Sequence, residues 1–89
     1  LTEARALLNL ARERAGDTPE ILDGFGCISL RLGMLSEAES FFRQAITADR
    51  TFAQGYAHLS AALISAGRET EGREWLAEAL RLNPFDRSA

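Results

Sequence analysis

Two side chains in this 89-residue chain have the reactivity for site chemistry: Cys27, its single cysteine, and His58, its single histidine. A thiol beside an imidazole suits nucleophilic catalysis, and sulfur and ring nitrogen are both good metal donors. Lying far apart in sequence, they stand as two isolated groups, which make neither a metal site nor a nucleophile–base pair unless geometry joins them. The expectation is a structural or rim role for each, with no catalytic residue, no metal and no cofactor. Gly24-Phe25-Gly26 has part of a dinucleotide-binding fingerprint, but Ser29 stands in the third glycine's place and no strand pattern precedes it. Helix packing is the expected reason for those glycines. All ten basic residues are arginine, so a lysine Schiff base or nucleophile is excluded on this chain. Phe41-Phe42 and Trp75 read as filler between helices rather than a stacking platform for bases.

The elements that must position these residues follow from composition and spacing. Alanine and leucine dominate, valine is absent and only two prolines occur, which favours helix over strand. The length allows one small domain. A net charge of −3, with no basic stripe, argues against nucleic acid as a partner. No apolar run approaches the roughly 18–20 residues of a membrane span, so no membrane insertion is expected. A single cysteine permits no intrachain disulfide and assigns no redox compartment. The chain opens on Leu1 without a charged-then-apolar leader, which predicts an excerpt or a processed product whose address cannot be read.

Five helices are predicted, over 2–15, 19–32, 36–49, 53–66 and 70–82. In the first, Ala4, Leu7, Leu8, Ala11 and Ala15 fall on one face. Gly16 stops it, and Asp17 or Thr18 caps the next helix, with Pro19 in the first turn where its missing N–H costs nothing. The second carries Ile21, Leu22, Phe25, Cys27, Ile28, Leu30 and Leu32, more than one face, and is expected to be buried on two sides. Gly33 supplies a left-handed end. Ser36 to Glu39 has capping-box spacing before a helix that turns Ala38, Phe41, Phe42, Ala45 and Ile46 inward. The fourth helix is again apolar on most sides, and Gly67 ends it. Thr70 reads as the cap of the fifth, and Asn83-Pro84 closes that helix before a frayed tail at 87–89.

The second and third helices are echoed 34 residues later by the fourth and fifth. The first copy runs Leu22, Phe25, Gly26, Gly33, Ala38, Phe42, Ala45; the second, Tyr56, Leu59, Ser60, Gly67, Gly72, Leu76, Ala79. A two-helix unit at this period marks a helical solenoid, in which each unit buries its apolar face on its neighbours. Gly26 and Ala38 are small because two antiparallel helices approach closely there, and Phe42 fills the wedge they leave.

These residues resemble the tetratricopeptide repeat. Residues 19–52 match one repeat, with Arg50 in place of the family's closing proline. Residues 53–86 match a second, through Tyr56, Leu59, Gly67, Leu76, Ala79 and Pro84, with Ser60 and Gly72 as weaker fits. Residues 1–17 look like the second helix of a preceding, partial repeat. The resemblance implies a single domain, a right-handed α-solenoid of antiparallel helix pairs, which binds a protein or peptide in its concave groove and is not an enzyme. The groove would be lined by Glu20, Asp23, Gly24, Cys27, Leu30 and Arg31 from one repeat and Gln54, Ala57, His58, Ala61, Ile64 and Ser65 from the next. Some members grip a peptide's terminal carboxylate with lysine and asparagine; here Asp23, Cys27, Gln54 and His58 occupy those places, so that clamp is not expected. Gly24, a glycine inside a helix, suggests that a partner helix approaches its backbone along Cys27, Ala57 and Ala61. Leu7, Leu8 and Leu10 at one end, and Leu80 and Leu82 at the other, have no covering helix, which predicts self-association through an uncapped end. Two other readings are a structural segment whose groove is filled by its own chain, and an accessory region of an enzyme.

Overall fold

A computed structural model describes residues 2–83. Five helices follow one another: α1 (Thr2–Ala15), α2 (Pro19–Arg31), α3 (Leu35–Ala48), α4 (Ala53–Ser65) and α5 (Glu69–Leu82), with no strand among the described residues. Each boundary lies within one residue of the sequence expectation. The expected closure at Pro84 and the tail at 87–89 fall outside the described residues.

The two hairpins close on the same turn. Gly33 and Gly67 both have positive φ, 78° and 86°, where a side chain would be strained. Around Gly33 the Met34 amide donates to Ser29 O at 2.9 Å, and around Gly67 the Arg68 amide donates to Leu63 O at 2.9 Å. Both are Schellman closures, satisfying carbonyls that the helix end would otherwise orphan.

At the helix starts the outcome is divided. Thr18 caps α2, its Oγ1 accepting from the Ile21 amide at 3.2 Å, with Pro19 in the first turn. The capping box at Ser36 does not form: α3 begins one residue early behind Met34, which leaves Ser36 inside the helix. Glu39, the glutamate of that box, bonds Arg43 and Arg68, and its neighbour Glu37 accepts from the buried Ser29 hydroxyl of α2 at 2.7 Å. Likewise α5 starts at Glu69 behind Arg68, so Thr70 lies within the first turn and caps nothing. The loop that lacks the family's proline is held by other means: Thr51 donates from its amide and hydroxyl to Asp49 Oδ1, and the Tyr56 hydroxyl donates to Arg50 O at 2.9 Å.

Burial alternates along the chain. α2 and α4 bury residues around much of their circumference, α3 and α5 bury a stripe, and α1 has no buried residue. One continuous core unites Ala38, Phe42 and Ile46 of α3 with Tyr56, Leu59, Ala62 and Leu63 of α4 and Ala79 of α5. Trp75 packs against that core beside Tyr56, ring centroids 5.6 Å apart, and Phe41 stacks on Phe25 at 5.4 Å. Gly26 is required where it stands, because a Cβ there would lie 2.4 Å from Phe42 Cε1. The wedge expected of Phe42 is therefore present. α3 and the start of α5 are also tied by charge: Arg43 and Arg68 each bond both Glu39 and Glu71. Partial burial pushes the Glu39 carboxyl up, but the hydrogen bonds from Arg43 and Arg68 outweigh it and hold the group below the usual range.

Candidate recognition groove

α2 and α4 lie side by side, as the repeat requires of two equivalent inner helices, and a polar contact marks their junction. Asp23 is 7% exposed, and its Oδ1 and Oδ2 lie 2.8 and 3.0 Å from Nδ1 of His58. Cys27, one turn after Asp23 on the same face, brings its Sγ to 3.6 Å from that nitrogen and 4.0 Å from Asp23 Oδ2. The Phe42 ring flanks the imidazole, centroids 5.5 Å apart. The hydrogen bond to Asp23, then that to Cys27, outweighs desolvation and raises the His58 pKa from 6.5 to about 10. His58 is therefore a cation at neutral pH and pins α4 to α2 through Asp23.

That geometry is not a catalytic one. In a thiol–imidazole–carboxylate triad the carboxylate and the nucleophile engage opposite ring nitrogens, so the imidazole can shuttle a proton between them. Here both face Nδ1, and a ring held as imidazolium is no general base near neutrality.

The other expected lining residues divide by burial. Cys27, Leu30 and Ala57 are half-buried against the core. Gly24 is covered within the fold: a Cβ there would meet Leu8 Cδ2 at 3.0 Å. The approach expected of a partner helix is thus made by α1, a correction that follows from the Leu8 side chain lying where a Cβ on Gly24 would project. Glu20, Arg31, Gln54, Ala61, Ile64 and Ser65 remain exposed.

A cleft of about 230 Å³ runs between Gln54, Ala57 and His58 of α4 and Leu76 and Leu80 of α5, with Asn83 just past the end of α5. Its α5 wall was not among the expected lining, though the 34-residue period points to it. Leu76 and Leu80 hold the register of Phe42 and Ile46, the α3 residues that share a core with α4. A larger hollow of about 630 Å³ lies along α3 among Ser36, Glu39, Ser40, Arg43 and Thr47, with Leu22 of α2 also in its lining.

The tetratricopeptide repeat profile matches residues 19–52 and again 53–86, most of the chain. The chain belongs to the tetratricopeptide repeat family. No curated protein matches it closely enough to count as a relative. Tetratricopeptide repeats are protein–protein interaction modules, typically without catalytic activity, and protein partners follow for this one. No described helix is long and apolar enough to cross a membrane.

Proposed function

We propose that this tetratricopeptide domain binds an amphipathic helix of a protein partner along the inner face of α2 and α4, extending into the cleft between α4 and α5. One observation carries the reading. The α5 surface at Leu76 and Leu80 repeats, at the same register, the α3 surface of Phe42 and Ile46 that packs with α4, and both leucines stay exposed. A face already used once inside the molecule to seat a helix suits a second helix of similar apolar character. Exposed Ala61 and Ile64 extend it, while Glu20 and Arg31 supply charges at its edge.

The test uses helical peptides selected from a random display library, with their contacts mapped by amide chemical-shift perturbation. Perturbations on α2, α4 and the inner edge of α5, abolished by Ala61→Arg with an unchanged melting temperature, are the expected result. Ala61 is the site to vary because Ala57 is half-buried and an arginine there disturbs packing as well. Perturbations confined to the hollow along α3, undiminished binding by Ala61→Arg, or failure of the library to yield any binder each overturn the proposal.

A further inference from the structure

The only cysteine and the only histidine of the chain, far apart in sequence, meet at 3.6 Å across two helices, with a buried carboxylate beside both. Core packing does not ask for polar side chains here. In the next repeat the positions of Asp23 and Cys27 are held by Ala57 and Ala61, and α4 forms without them.

We propose that Asp23, Cys27 and His58 together form a binding site for a zinc ion. The donor atoms set a triangle, with Nδ1 to Oδ2 at 3.0 Å, Nδ1 to Sγ at 3.6 Å and Sγ to Oδ2 at 4.0 Å. Around a tetrahedral zinc, with bonds of ~2.0 Å to N and O and ~2.3 Å to S, the corresponding edges are about 3.3–3.6 Å. The observed triangle needs movements of about half an ångström, within the reach of small side-chain adjustments. This is the one trio of metal-ligating side chains among the described residues whose donor atoms all lie within 4.8 Å of one another.

The donor chemistry selects the metal class. Thiolate with imidazole suits zinc and disfavours magnesium and calcium, which want oxygen throughout. Charge also balances: a carboxylate, a thiolate and a neutral imidazole against a dication leave the half-buried site neutral. On binding, the ion takes the place of the protons on Nδ1 and Sγ, which pass to solvent. Cys27 and His58 are both partly exposed, so water can reach the site to complete the coordination. The site does not depend on the peptide-binding reading.

The decisive measurement is a cobalt(II) titration of the reduced protein. A near-ultraviolet thiolate-to-cobalt band should grow to saturation at one equivalent and vanish when zinc is added. Because Cys27 is the single cysteine, no other residue can supply that band. Cys27→Ala, checked for retained helicity, should abolish the band and weaken zinc binding by more than the roughly 10- to 100-fold that even an outer-shell partner is worth. Absence of the band in the wild type, or equal zinc affinity in Cys27→Ala, overturns the proposal. Zinc binding lost in Cys27→Ala but kept by His58→Gln also overturns it, since the imidazole would then not be a ligand.

Discussion

Phe42 in the repeat 19–52 has no exposed surface, whereas Leu76, at the same register of the repeat 53–86, is 40% exposed. The inner faces contrast as well: Asp23 and Cys27 in the first repeat, Ala57 and Ala61 in the second. The shared parts are the Schellman turns at Gly33 and Gly67 and the buried alanines, Ala45 and Ala79. Burial of a repeat position therefore depends on what is stacked over it as much as on the residue there. The turn and the small-residue contacts make a hairpin; the neighbouring hairpin decides whether its apolar face becomes core.

Three perturbations break or sharpen that contrast. The largest effect is expected from Phe42→Ala, at about 3–5 kcal/mol for a fully buried aromatic. Small domains hold total stabilities of about 5 kcal/mol, so this variant should be largely unfolded. Leu76→Ala should cost only about 1–2 kcal/mol, the transfer free energy of a partly buried leucine. Urea denaturation of both variants tests the pair, and equal costs would mean that stacking does not set burial.

Next come two glycines on one helix. Gly26→Ala places a methyl into the ring of Phe42 and should destabilise by about 1–3 kcal/mol. Gly24→Ala meets only the end of the half-buried Leu8 side chain, which can turn aside, so the helical preference of alanine should prevail and stabilise by up to about 1 kcal/mol. Thermal melts giving both variants the same sign would remove the distinction between a rigid and a yielding neighbour.

Solvent screening of the imidazole, whose side chain is 38% exposed, keeps the last effect the smallest: a pH dependence confined to the polar inner face. The folded-state pKa of His58 is raised by Asp23 from 6.5 to about 10. Its contribution to stability is complete below about pH 6.5, where folded and unfolded chains both hold the proton. It declines between about 6.5 and 10, where only the folded chain retains it, and is gone above that. With metal removed by chelator, the wild type should lose stability across this window relative to the double variant Asp23→Asn, His58→Gln. Parallel stability curves for the two proteins would show that the pair does not pin the helices.

The sequence made the helical hairpins legible because side-chain size is constrained wherever helices touch. Gly26, Ala38 and Phe42 announce a close contact before any coordinates exist, and every helix boundary falls within a residue of its spacing signal. What depended on a choice between competing partners was not legible. Ser36 and Glu39 have the spacing of a capping box, yet Glu39 bonds Arg43 and Arg68 and the helix starts elsewhere. The openness of Gly24 was readable, but its occupant, Leu8, was not. Asp23 and Cys27 visibly share a face, one turn apart. Their meeting with His58 required knowing which faces of α2 and α4 oppose, and no local pattern carries that.

Among the described residues, each helix touches only the next or the next but one, and no side-chain hydrogen bond spans more than 35 positions. A nascent chain leaving the ribosome can therefore finish each hairpin without waiting for a distant segment, and assembly can proceed in the order of synthesis. Such short-range topology folds quickly and tolerates duplication or excision of whole units, which gives evolution a simple means of adjusting length.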